Sequence, residues 1–178
     1  FSAVFSTCLE LMIAAAIPAF AAPTLATGFV KREVFLNIPG VTVADLTASQ
    51  KFIDNQPDGV TLLSSLEAPA SSGENFGQRL SGMLIPPVTG DYVFFLAADD
   101  AAEFRISPFG GDDPPNFLIA TVPESTGSRE WNKFPSQHNA ALPFSLDAGT
   151  AYAFEVLMKE GSLGDHMAVG WVLPGQYV

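Results

Sequence analysis

Cysteine is almost missing from this chain: Cys8 stands alone among 178 residues, so no disulfide can form within it and the fold must rest on core packing. Basic residues are scarce as well. Eight Lys and Arg face nineteen Asp and Glu, a formal charge of −11, and such a surface repels nucleic-acid phosphates and anionic lipid. Histidine occurs only at His138 and His166, without the Cys or His neighbours a zinc site requires. Neither has a Ser or Cys beside it to form a nucleophile–base pair. The Gly-x-Ser-x-Gly elbow, the phosphate-binding loop and the His-Glu-x-x-His motif do not occur. Nineteen acids leave glycosidase-type carboxylate pairs formally open, but the balance of absences points away from an enzyme. A stable membrane span is not expected either: the apolar run from Leu9 to Ala22 is interrupted by Glu10 and Pro18, and a span takes roughly 20 apolar residues.

What is abundant is equally directive. Apolar residues make up 48% and charged ones 15%, with 15 Phe, 15 Gly and 14 Pro, a composition that suits short aromatic-rich strands separated by turns. The length fits one domain with its own core. Strand signals run from Val30–Leu36 through Leu80–Ile85, Tyr92–Ala98, Glu103–Ile106, Asn116–Val122 and Ala151–Lys159 to His166–Leu173, with a short helical turn over Val43–Ser49. The pair 80–85 and 92–98 is expected to be antiparallel across the turn-rich Pro86–Asp91. Both parities of Tyr92–Leu96 are apolar, which marks a strand covered on both faces; Glu103 and Arg105 alternate with Phe104 and Ile106 as a half-exposed strand does. Residues 123–139 read as a long surface excursion, and 160–165 as a hairpin loop. The expected fold is all-β, an antiparallel two-sheet β-sandwich of jelly-roll or barrel type, with an apolar N-terminal arm.

Residues 1–26 stand apart from the body at 27–178. Glu10 is the only charge before Lys31. One reading is an export signal over residues 1–21, because Ala19-Phe20-Ala21 has the small-x-small pattern of a cleavage site, although the basic head of such a signal is missing. The leading reading is an assembly arm. Phe1, Phe5, Leu9, Leu11 and Ile13 share one parity, with Ile17 further on, and an ordered apolar arm must be buried against something. Strand addition to a neighbouring copy would give a head-to-tail homopolymer, an extracellular filament.

The run Leu80-Ser81-Gly82-Met83-Leu84-Ile85-Pro86-Pro87-Val88-Thr89-Gly90-Asp91-Tyr92-Val93-Phe94, followed by Ala98-Asp99-Asp100, resembles the central signature of the protective-antigen (PA14) domain family. Asp147-Ala148-Gly149-Thr150-Ala151-Tyr152 and Ala168-Val169-Gly170-Trp171 resemble its closing strands, and Arg32-Glu33-Val34-Phe35, Ile38-Pro39-Gly40, Arg129-Glu130-Trp131-Asn132 and Met158-Lys159-Glu160-Gly161 are similar to the version in secreted bacterial proteins. The resemblance implies a β-sandwich used in toxins, yeast adhesins and glycoside hydrolases as a non-catalytic carbohydrate-binding or assembly unit. It further implies that an Asp-Asp pair joined by a cis peptide holds Ca2+ together with a loop between the last two strands, sugar hydroxyls completing the coordination.

On that pattern Asp99 and Asp100 are the metal pair, with Asp165 or Glu160 substituting for the Asn that the second loop lacks. Calcium takes six to eight oxygen ligands, and adjacent carboxylates repel each other unless a cation offsets them. Asp99, Asp100, Trp131 and Ser162 are the candidate glycan contacts, although Trp131 could instead pin its loop to the body. Asp112-Asp113 reads as an exposed turn and Trp171 as core. Two functions follow: an extracellular structural or adhesive subunit that polymerises through its arm, or a secreted calcium-dependent, lectin-like module of a larger protein.

Overall fold

In a computed structural model, which describes residues 27–111 and 113–176, ten strands form two antiparallel sheets. They are β1 (Val30–Leu36), β2 (Gly59–Leu63), β3 (Glu67–Ala68), β4 (Phe76–Leu84), β5 (Gly90–Asp99), β6 (Ala101–Ile106), β7 (Phe117–Val122), β8 (Phe144–Leu146), β9 (Tyr152–Glu160) and β10 (His166–Val172). The six-stranded sheet runs β2-β1-β4-β9-β6-β7 and the four-stranded sheet β3-β10-β5-β8. Alternation along each strand turns Leu80, Phe94, Phe104, Phe154, Val156 and Met167 into one shared core, as expected for a two-layer sandwich.

Two expected hairpins are not hairpins. The strands β4 and β5 lie in different sheets: β4 pairs with β1 and β9, β5 with β10 and β8. Both strands carry an apolar face that is buried by stacking across the core rather than by pairing edge to edge. Likewise β9 and β10 belong to opposite sheets, so residues 161–165 cross the sandwich. The loops β4–β5, β5–β6 and β9–β10 are therefore all bridges between layers.

Thr42 starts a short helix, α1 (Val43–Thr47), through a capping box with Asp45, and Ser49 caps α2 (Gln50–Ile53). These turns lie outside the six-stranded sheet and bury Phe35, Ile38, Val43, Leu46, Ala101 and Leu157 as a second, smaller core. Gly77 makes room for it, since a Cβ there would lie 2.4 Å from Leu46 Cδ1. On the other side, residues 123–143 are more than an excursion. Gln137, buried, donates to the carbonyl of Leu96 and Thr126 to that of Ala98, so the segment covers the outer face of β5 and explains why both its faces are apolar.

Trp171 departs from the expected core position. Its ring packs on Tyr92 and Phe94 at 5.3 and 6.0 Å, yet it is 37% exposed. The short β3 reaches only Met167 and Ala168 of β10, leaving the lower half of β10 at an edge. Among the described residues no helix is long and apolar enough to cross a membrane.

Leu46 carries the smaller core, being fully buried. Leu46→Ala should lower the urea midpoint with an unchanged slope, corresponding to about 2–5 kcal/mol.

Candidate cation and ligand site

Two sheet crossings stack at one end of the sandwich. Chain passes from β5 to β6 through Asp100, and from β9 to β10 through residues 161–165. Register ties the crossings together, because Asp99 lies opposite His166 and Ala101 opposite Lys159. Side chains 60 residues apart in sequence thereby converge, and the peptide between Asp99 and Asp100 is cis.

Asp99, Asp100 and Glu160 each place a carboxylate oxygen within 4.8 Å of the other two. Glu160 is fully buried and neither of its oxygens has a hydrogen-bond partner. An ionised carboxylate in that position is costly unless a proton or a cation accompanies it. Burial together with Asp100, Asp99 and Asp165 pushes the Glu160 carboxyl up to about 8, and burial and Asp100 raise Asp99 as well. The residues fit a hard cation. Calcium–oxygen bonds of roughly 2.3–2.6 Å place two ligand oxygens up to roughly 5 Å apart across the ion, so the three oxygens can share one ion. Asp99 and Asp100, half-exposed, leave its outer side open to water or to a ligand.

Asp165 is near this group but not in it. Its Oδ2 accepts from the backbone N–H of Ser72 and Gly73 at 2.5 and 3.2 Å, fastening the β3–β4 connection, while its buried Oδ1 has no partner. Ser162 is exposed in the crossing loop. Trp131 does not join the candidate glycan contacts. Its indole lies on the outer face of Gly170, 3.7 Å from where a Cβ would stand, and edge-on to Phe95. Phe95 precedes Asp99 by four residues, about 13 Å of strand. A residue without a side chain on the outer face is what accepts the flat ring, and Trp131 pins the covering segment there. Asp113 is exposed, as a solvated turn should be.

Sequence patterning missed Lys159. Its side chain is fully buried beside the acids, and Nζ donates to the carbonyls of Gly40 (2.7 Å) and Glu160; burial pulls its ammonium below the usual lysine range. Gly161 N–H donates to Asp100 Oδ2 at 2.9 Å. The β1–α1 loop at Gly40–Val41 is thus a third wall, for which no motif gave a signal.

No family model matches the chain. Solved structures do resemble it. The PA14 domain of the MpAFP antifreeze protein superposes with a TM-score of 0.59 at 15% identity, over 89% of this chain and 90% of that one. The fold is PA14-like. The A domain of epithelial adhesin 9 from Candida glabrata, solved in complex with Galβ1-3GlcNAc, gives a TM-score of 0.57 at 14% identity, covering 85% and 84% of the two chains. A β-glucosidase from Kluyveromyces marxianus in complex with glucose gives 0.55 at 17% identity, but this chain spans only 16% of that enzyme. At these identities the likeness establishes the PA14-like sandwich and nothing finer.

Linkage gives the site a pH signature. A carboxyl raised in the folded state holds its proton more tightly than in the unfolded chain, so the stability this brings is present below about pH 4.5 and lost as pH rises through about 8. In chelator, the melting temperature should fall across that window, by an amount corresponding to a few kcal/mol. Glu160→Gln should flatten the fall, and a titration by scanning calorimetry checks both.

Proposed function

We propose that this chain is a non-catalytic, extracellular binding module whose PA14-like sandwich holds calcium at Asp99, Asp100 and Glu160 and uses it to bind glycans. The observation that carries the reading is the buried Glu160 carboxylate, without a partner on either oxygen, beside two half-exposed aspartates. Hydroxyl pairs of a sugar are suitable outer ligands for such an ion, being neutral oxygen donors that add no further negative charge. Solved relatives of the fold in complex with galactosides support the glycan part. When bound, calcium would supply the positive charge and the open coordination positions; the chain itself contributes the fixed oxygens, the exclusion of water around Glu160 and the Lys159 and Asp165 contacts that hold the loops.

Asp99→Ala with Asp100→Ala should abolish calcium-dependent thermal stabilisation, because a ligand that binds only the folded state raises its melting point. Wild-type protein should bind members of a glycan panel in calcium and lose them in chelator. A calcium response that survives in the double variant would sink the site, and a response without any glycan would leave the ion a structural role only.

A second reading concerns the arm. Phe1, Phe5, Leu9, Leu11, Ile13 and Ile17 lie outside the described residues, and the polymer expected from them is a proposal. It is favoured by a groove of about 440 Å3 that includes Thr27, Phe29, Leu62, Met83 and Ile85, with Phe29, Leu62 and Ile85 exposed, where the arm meets the body. Deleting residues 1–25 should remove fibres seen by electron microscopy and leave calcium binding intact; fibres formed by the truncated chain would refute the arm.

A further inference from the structure

Trp171 stands at the mouth of a cavity between the two sheets, with a volume of about 170 Å3. Phe94, Phe104 and Phe154 form its floor, each at most 4% exposed, while Leu66, Leu84 and Val169 are half-buried and Trp171 reaches the surface, so the opening is on their side. The edge of the four-stranded sheet explains that opening. Both residues of β3 pair with Met167 and Ala168, and the carbonyl of Leu66 accepts from Val169 N–H at 2.9 Å. Among the described residues no strand continues past Gly170 and Trp171 on that side. Phe94 and Phe104 meet edge to face at 5.3 Å, and Trp171 leans over Phe94 at 6.0 Å, which fixes the walls. The cavity is separate from the acid cluster: β10 and β5 pair His166 with Asp99 but Trp171 with Phe94, five residues and roughly 16 Å further along the strands.

Packed interiors leave few voids larger than a water molecule, and water is a poor occupant of this one. A buried water needs about two to four polar partners, and apart from the indole N–H of Trp171 the lining side chains carry no polar atom. Dry apolar cavities of about 150 Å3 take up benzene or xenon. We infer that the cavity is a binding site for a small uncharged aromatic ligand, of the size of a single six-membered ring, which enters past Trp171 and rests on the three phenylalanines. Offset or edge-to-face contacts with those rings favour an aryl group. Charge is excluded, because nothing in the cavity would replace the water that an ion gives up.

Benzene, titrated into the full chain and followed by NMR, is the probe. Its protons should show NOEs to the methyl groups of Leu66, Leu84 and Val169 and none to those of Leu46 in the smaller core, and saturating benzene should raise the melting temperature. Benzoate, the same ring bearing a charge, should bind at least about tenfold more weakly. Val169→Phe and Leu66→Phe each put a ring into the space the ligand would take, and a variant that still melts cooperatively should have lost the benzene NOEs. Absence of NOEs to the three residues in wild type, benzoate binding as tight as that of benzene, or NOEs that persist in a folded variant would each overturn the site. Should both variants fail to fold, the wild-type NOEs and the benzoate ratio decide alone.

Discussion

Everything at the functional end depends on a carboxylate that water cannot reach. Glu160 sits at the last position of β9, fully buried, with Asp99 and Asp100 facing it and no hydrogen bond to either oxygen. Charge of one sign gathered in a dry place must be balanced. Lys159 gives part of that balance from below, and a proton or a divalent cation gives the rest. Burial of one residue therefore sets the charge balance of the whole cluster.

That burial is a product of topology. Both chain crossings at this end join strands of opposite sheets, so neither loop can retreat into a flat hairpin over solvent. The crossings instead seal the end of the sandwich, with Gly161 donating to Asp100 and Asp165 clasping the Ser72–Gly73 backbone. The smaller core under α1 contributes from outside: it sets the β1–α1 loop, whose Gly40 carbonyl receives Lys159. Site and core are coupled through the backbone.

The two ends of the molecule differ in chemistry. Acids and loop crossings occupy one; Phe29, Ile85, Val88 and Phe109 lie exposed towards the other.

Alternation of apolar and polar residues was enough to show an all-β sandwich, because a period of two has no other stable use in a chain with so few helix signals. β1 was legible residue for residue, and Asp99-Asp100 was legible because adjacent aspartates at a strand end are chemically conspicuous. Sheet membership was not legible. Whether β4 meets β5 side by side or across the core depends on how apolar faces stack, and periodicity is the same in both arrangements. Glu160 could be nominated but not told apart from Asp165, because the hydrogen bonds that occupy one oxygen of Asp165 and neither of Glu160 exist only after the loops have closed. Trp171, expected in the core, stands at an edge, and of the two readings open for Trp131 the structure has the one that pins its loop: strand pairing, set by residues far away in the chain, decides which ring finds a flat glycine beneath it and which is left at an edge.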